Sequence, residues 1–192
     1  MQQRLHTGRL VLTPQSPYYS PDDLTGLIAM LREIGFIGDP LPHSRVRYLL
    51  GENFMQLVTF MGCSPFIQLE PGDPEQPFCH LIIDGPSVHP RLLQGKNTTP
   101  PRCAACRKRL DDWQATFEIW QQELPGWQAT CPHCGHNQDP ASYDFRQSAG
   151  CGRLFLFIEN IFPQEAVPST TLLDNLSAVT GAERWHHFYQ QE

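Results

Sequence analysis

The sequence lacks any long hydrophobic run. Nowhere in its 192 residues do about 18 apolar residues follow one another, the length that suggests a membrane-spanning helix. The opening stretch, MQQRLHTGRLVLTPQ, also lacks the apolar segment of a secretory signal peptide. The sequence therefore predicts a soluble chain that is not exported and that works in the cytoplasm.

An excess of positive charge is missing as well. The chain has 14 basic and 20 acidic side chains and a formal net charge of −6. Residues 1–101 carry 7 basic and 9 acidic side chains, residues 102–138 carry 4 of each, and the remainder carries 3 and 7. Non-specific affinity for nucleic acid comes mainly from Lys and Arg that neutralise phosphates. This distribution therefore disfavours nucleic acid as the partner.

Catalytic signatures are absent too. The sequence contains no GxSxG, HExxH or GxGxxG pattern. The Gly95-Lys96 pair does not complete a phosphate-binding loop, because Pro90 occupies the position of the first glycine and Asn97 that of the Ser or Thr. Asp84 fits a turn at the end of a strand and has no identifiable acid, base or metal partner. These absences favour a protein that is not an enzyme.

Cysteine, in contrast, is present in a pattern. Four of the seven cysteines form two CxxC pairs, Cys103 with Cys106 and Cys131 with Cys134, separated by 24 residues. A CxxC turn places two thiolates close enough to share one metal ion, and two such turns supply four soft ligands in tetrahedral geometry. An odd cysteine count in a chain of this length argues against a secreted disulfide scaffold. We therefore predict one metal site, with structural Zn²⁺ as the metal.

The stretch from Cys103 to His136, and CPHCG in particular, resembles the knuckles of zinc-ribbon, or rubredoxin-like, modules. The resemblance covers about residues 101–138 and implies a small β-rich module, with a hairpin between the knuckles and the four cysteines as ligands. Four thiolates close the coordination shell, so the metal is expected to be structural. Redox dithiols and iron are the alternatives. His133 is expected to face solvent, as is His136, although either can replace a cysteine or contact a ligand.

Basic and aromatic side chains between the knuckles form a candidate partner surface. One hypothesis is a stacking and phosphate-binding surface for RNA or single-stranded DNA, and another is a docking surface for a protein. The interpretation we favour is that the aromatic rings, together with Phe117, form a small zinc-braced core, because four nearby carboxylates cancel the basic charge. The residues of this candidate surface are Arg107, Lys108, Arg109, Trp113, Trp120 and Trp127.

Periodicity predicts an α+β fold: a small, mostly antiparallel sheet with two main helices and an inserted four-cysteine zinc-ribbon module. The helices are expected at residues 21–34, capped by Ser20, and 170–180, ended by Gly181. Strands are expected at residues 66–69, 78–84, 153–162 and 184–189, and residues 54–61 favour a strand over a helix. Residues 37–53 and 85–101 are predicted to be loop and linker. Residues 1–100 and 139–192 would form one domain, interrupted by the ribbon at residues 101–138.

The remaining cysteines and a histidine pair offer weaker candidates. Cys63 and Cys79 lie in apolar surroundings and are expected to pack in the core. Cys151 is expected first of all as a loop residue. Its alternative roles are a spare metal ligand or an exposed thiol. His186 and His187 occupy successive positions of a strand and therefore point to opposite faces, which disfavours a shared metal ion.

The sequence as a whole thus predicts a non-catalytic zinc-containing protein whose ribbon presents an interaction surface to another protein. The first alternative is RNA or single-stranded DNA binding through Arg107–Arg109 and the tryptophans. The second is an enzyme that the ribbon braces and whose active site is assembled from distant residues.

Overall fold

A computed structural model describes residues 8–61, 67–72, 77–123, 126–161 and 165–191. The helices are α1 (Thr25–Glu33), α2 (Phe54–Leu57), α3 (Trp113–Glu123) and α4 (Thr170–Thr180). The strands are β1 (Gly8–Pro14), β2 (Ile37–Pro40), β3 (Arg47–Leu50), β4 (Val58–Phe60), β5 (Leu81–Asp84), β6 (Arg91–Gln94), β7 (Ala129–Thr130), β8 (Asn137–Gln138), β9 (Ala149–Gly152), β10 (Phe155–Ile161), β11 (Ala166–Pro168) and β12 (Trp185–Gln191).

Six of these strands form one sheet in the order β12-β1-β10-β5-β3-β2, and every neighbouring pair is antiparallel. Three two-stranded ladders accompany it: β4 with β11, β6 with β9, and β7 with β8. The predicted α+β class with a mostly antiparallel sheet is confirmed. Among the described residues, no helix is both long and apolar enough to cross a membrane.

One face of the six-stranded sheet packs against α1 and α4. Leu10 and Leu12 of β1 and Leu156 of β10 are completely buried there, in a cluster that includes Leu31 of α1 and Leu176 of α4. Removal of this apolar surface from water contributes about 25 cal/mol per Å² to folding. This cluster is the main hydrophobic core of the protein.

The opposite face of the sheet is covered in part by the β6–β9 ladder. Val11, Phe155, Phe157 and Phe188 form a second buried cluster on this side. The ladder approaches so closely that a Cβ at Gly150 would lie 2.4 Å from the ring of Phe188. A side chain there would force the ring or the backbone to move, so the glycine permits this packing.

The two predicted helices are present, but the first starts later than its sequence pattern suggests. Ser20 does not cap α1, which begins at Thr25; the Asp23 carboxylate accepts hydrogen bonds from the Thr25 N–H and hydroxyl. α4 has its predicted ends. The Ser169 hydroxyl accepts a hydrogen bond from the Leu172 N–H, and Gly181 takes the left-handed conformation.

Several predicted loops contain strands. β2 and β3 lie within residues 37–53, β6 lies in the predicted linker, and residues 54–61 divide into the single-turn helix α2 followed by β4. The central strand β1 was not predicted at all. Short strands such as these are stabilised by partners distant in sequence, which local patterns do not reveal. Of the two strands expected at 66–69 and 78–84, the second is present as β5, and residues 67–69 form no strand.

Candidate metal centre

The two CxxC segments fold into matching turns. The Cys103 N–H donates to the Lys108 carbonyl at 2.9 Å, and the Cys131 N–H donates to the His136 carbonyl at 2.8 Å, the same five-residue step. In each turn the residue after the second cysteine donates back to the carbonyl of the first, at 3.0 Å from Arg107 and 2.9 Å from Gly135. The turns are therefore two copies of one knuckle.

The strand pairing that closes each knuckle matches as well. Arg102 forms a bridge with Arg109, and Thr130 pairs with Asn137. In each pair the first residue lies one position before the first cysteine of the knuckle, and the second residue lies six positions after that cysteine. The side chain of Gln138 connects the knuckles, because its Oε1 accepts a hydrogen bond of 2.9 Å from the Ala104 N–H. This buried glutamine was not singled out from the sequence.

The knuckles bring the four predicted ligands to one point. The Sγ atoms of Cys103, Cys106, Cys131 and Cys134 all lie within 4.8 Å of one another. The Sγ atoms of Cys103 and Cys134 are 3.8 Å apart, and those of Cys106 and Cys131 are 3.9 Å apart. A tetrahedral ion with thiolates at about 2.3 Å requires sulfur–sulfur separations of about 3.8 Å. The four sulfurs therefore fit a metal ion.

Backbone N–H groups point at these sulfurs. The Cys106 N–H, followed by that of Ala105, lowers the pKa of the Cys103 thiol to about 6, and the His133 N–H donates to the Cys131 Sγ at 3.4 Å. At Cys134 the His136 N–H also lowers the pKa, but partial desolvation of the sulfur and the three neighbouring thiols raise it to about 12. Four thiols this close resist full ionisation in the absence of a cation, and a bound metal displaces the remaining protons.

The four sulfurs differ in their access to solvent. Cys103 and Cys131 are buried with Leu110, Cys106 is half-buried, and Cys134 is exposed. His133 and His136 are exposed as predicted. The His133 Nε2 lies 3.1 Å from the Arg109 carbonyl, and neither histidine belongs to the metal-ligating group found among the described residues.

The segment between the knuckles corrects the sequence prediction. It forms the 11-residue helix α3, where a hairpin in a β-rich module was expected. Trp113, Phe117 and Trp120 lie at helical spacing, a signal in the sequence that would have predicted this helix. Their rings pack edge to face, at 6.3 Å between the first two and 5.4 Å between the last two.

Burial of these rings also changes the candidate partner surface. Trp113 is 4% and Trp120 0% exposed, so neither presents its ring to solvent, and Trp127 is half-buried at the edge of the same cluster. They are buried because α3 packs against Phe145 and its neighbours, which follow the second knuckle. The aromatic cluster thus includes residues outside 101–138, while the division of the chain into two domains stays a prediction.

The basic triplet remains at the surface, but two of its members are paired. Arg107 contacts Asp144 at 3.0 Å and Arg109 contacts Asp111 at 2.5 Å, all with side chains at least 41% exposed. Lys108 is exposed and has no ion pair among the described residues. Asp144 was not predicted as a partner because it lies 37 residues after Arg107.

The weaker candidates are not brought together. Cys79 is buried in the main core as predicted, and Cys151, expected in a loop, is buried in β9 against the aromatic cluster. Asp84 pairs with Arg91 at 2.8 Å. His186 and His187 follow each other on β12. Cys63 lies outside the described residues.

Two surface cavities, of about 400 and 520 Å³, lie elsewhere on the described part of the protein. The first lies between α1 and α4 and includes Asp22 and Asp23; the second is lined by the 41–47 segment with Pro71 and Phe78. Neither is lined by a cysteine of the metal centre.

Comparison of the chain with models of known protein families, with curated proteins and with solved structures gave no match.

Proposed function

We propose that the four cysteines bind one structural Zn²⁺ in a ribbon-like module, and that the protein is a non-catalytic binding protein whose partner is another protein. The observation that carries the proposal is the sulfur geometry, with separations of 3.8 and 3.9 Å that match a tetrahedral tetrathiolate ion. Zinc prefers this closed shell and has no redox chemistry of its own.

The metal would fix the knuckles in place. The short ladders close each knuckle separately. Apart from the sulfur atoms, the described side chains make two polar contacts between the knuckles, that of Gln138 with the Ala104 N–H and that of His133 with the Arg109 carbonyl. Most of the free energy that holds the knuckles together would therefore come from the ion. For structural zinc in small modules this apparent free energy is about 10–16 kcal/mol at neutral pH. A rigid surface of this kind loses little conformational entropy when it binds a partner.

The knuckle tips provide the surface that we assign to the partner. They are defined by five exposed residues, Ala104, Ala105, Pro132, His133 and His136. Two are alanines, one is a proline and two are histidines, and two backbone turns of fixed geometry present them. None of the five is a lysine or arginine, a composition that suits a protein groove better than a phosphate chain.

The charge of the module also favours a protein over nucleic acid. Residues 101–146 carry 5 basic and 6 acidic side chains, and a zinc tetrathiolate adds two further negative charges. Two of the basic side chains already pair with carboxylates, and two of the three tryptophans proposed for base stacking are buried. An anionic strand would meet a surface without positive excess.

Metal content tests the first half of this proposal. Protein purified under reducing conditions should contain one zinc per chain by elemental analysis. Cys131→Ser should lose most of that metal, because serine is a poor ligand for zinc and Cys131 is a buried member of the four-sulfur group. Full metal content and full stability in this variant would contradict the assignment.

A pair of matched variants tests the interaction surface. Ala105→Glu changes an exposed knuckle tip, and Ala178→Glu changes an exposed alanine of α4. Affinity capture with zinc-loaded protein should recover a partner with the natural chain and with Ala178→Glu, and much less of it with Ala105→Glu. If nuclease treatment abolished the capture, or if the protein bound single-stranded RNA with an affinity that fell steeply with salt, the partner would be a nucleic acid and not a protein.

A further inference from the structure

The metal centre combines reactive sulfurs with unequal protection. Metal-bound cysteines are thiolates, and thiolate character together with exposure determines how readily a cysteine is oxidised. Cys103 and Cys131 are buried, whereas Cys134 lies at the surface. An oxidant in solution therefore reaches Cys134 before the other three ligands.

A resolving thiolate lies next to the exposed sulfur. Cys103 Sγ is 3.8 Å from Cys134 Sγ, and the remaining two ligands, Cys106 and Cys131, are 3.9 Å apart. A disulfide bond is about 2.05 Å long, so each pair must approach by about 2 Å. Both contacts join one knuckle to the other, and we expect the disulfides to form across these two contacts.

We infer that the metal centre is a site of reversible oxidative modification, at which hydrogen peroxide oxidises Cys134 and disulfides between the knuckles replace the zinc. This inference rests on the proposed function, because it requires bound zinc. It adds a response to peroxide that a purely structural zinc site does not need.

The chemistry balances with peroxide as the only oxidant. The Cys134 thiolate attacks one peroxide oxygen: an S–O bond forms, the O–O bond breaks and hydroxide leaves, giving a sulfenic acid. The Cys103 thiolate then attacks the Cys134 sulfur: the S–S bond forms, the S–O bond breaks and a second hydroxide leaves. Two protons convert both hydroxides to water. The ion keeps only two thiolates and is released, and a second peroxide oxidises Cys106 and Cys131 in the same way.

Two other cysteines of the chain serve as internal controls. Cys79 is 1% and Cys151 5% exposed, and burial raises the pKa of both thiols well above the usual value for cysteine. Neither is a reactive thiolate in the folded protein. We expect both to stay unmodified while the metal centre is oxidised.

Tryptic mapping distinguishes the possible disulfides directly. Cleavage at Arg102 and Arg107 places Cys103 and Cys106 in the peptide 103–107, whereas Cys131 and Cys134 lie in the peptide 110–146, which contains no internal Lys or Arg. The zinc content is measured first, so that absence of zinc counts against the proposed function and not against this inference. Zinc-loaded protein is then treated with peroxide, blocked with N-ethylmaleimide, denatured and digested.

The expected result is release of one zinc per chain, together with a cross-linked species that joins peptides 103–107 and 110–146. Dimedone added with limiting peroxide should label Cys134 first, and a dithiol followed by zinc should restore the original metal content. Zinc retention under peroxide, two separate peptides that each hold an internal disulfide, or first labelling at Cys106 would overturn the inference.

Discussion

Replacement of Arg107 by glycine tests the equivalence of the two knuckles. Arg107 and Gly135 occupy the same position in the two turns, and both have positive φ, 60° and 74°. A side chain in this left-handed region costs about 1–2 kcal/mol, which glycine avoids. Glycine in turn loses about 0.5–1 kcal/mol through the greater freedom of the unfolded chain. Arg107→Gly should therefore be about 1 kcal/mol more stable than Arg107→Ala.

The comparison with alanine removes the ion pair from consideration. Both substitutions delete the contact of Arg107 with Asp144, in which the side chains are 59% and 41% exposed, and such pairs contribute about 0–1 kcal/mol. Gly135→Ala provides the reciprocal test. No atom lies within 4 Å of a Cβ built at Gly135, so its cost, also about 1 kcal/mol, comes from the backbone conformation alone.

Urea unfolding of the zinc-loaded proteins measures these differences, with zinc content checked for each variant. Equal denaturant slopes would show that the midpoints report stability. A finding that Arg107→Ala is as stable as Arg107→Gly, or that Gly135→Ala has no effect, would refute the argument from backbone conformation.

Three further predictions follow from burial and ionisation. Zinc affinity should fall as the pH is lowered from 8 to 6. The pKa of Cys134 is about 12 and that of Cys103 about 6, so protons increasingly compete with the metal for these thiolates. Competition with a chelator at several pH values measures the affinity, and an affinity that does not change with pH would contradict the prediction. Burial, with His187 as a second cause, lowers the pKa of His186 to about 4. Below about pH 6.5 the imidazole therefore binds a proton in the unfolded chain, whereas in the folded chain it does so only near pH 4. Stability should therefore decrease between pH 6.5 and 4, and His186→Gln should reduce that decrease if the imidazole causes it. Leu156→Ala, at a completely buried position of β10, should cost about 2–5 kcal/mol in urea unfolding without changing zinc content, whereas loss of zinc would show that the main core and the metal centre are coupled.

The metal centre was the part of the protein most accessible to sequence reasoning. The CxxC spacing sets the geometry of each pair locally, and the structure brings all four predicted cysteines together. The surroundings of the site were less accessible. Gln138 and Asp144 contact the first knuckle across 34 and 37 residues of chain, and no local pattern indicates such partners.

Of two errors, one had a signal in the sequence that was not used, and the other had none. The spacing of Trp113, Phe117 and Trp120 marks one face of a helix, yet the resemblance to ribbon modules implied a hairpin there. Cys151 was expected in a loop, but it lies in β9, where the glycines on either side of it allow the ladder to approach Phe188 and Thr13. Their role depends on a strand that lies elsewhere in the sequence.

The sequence by itself determined the features that depend on neighbours within a few residues. These are the two CxxC knuckles, the capped helix α4, the buried strand β10 and the acidic balance of charge. The tertiary structure alone decided the central position of β1, the burial of the tryptophans and the unequal exposure of the four sulfurs. Each of these follows from contacts between segments far apart in the chain, where hydrophobic burial and strand pairing outweigh local preference.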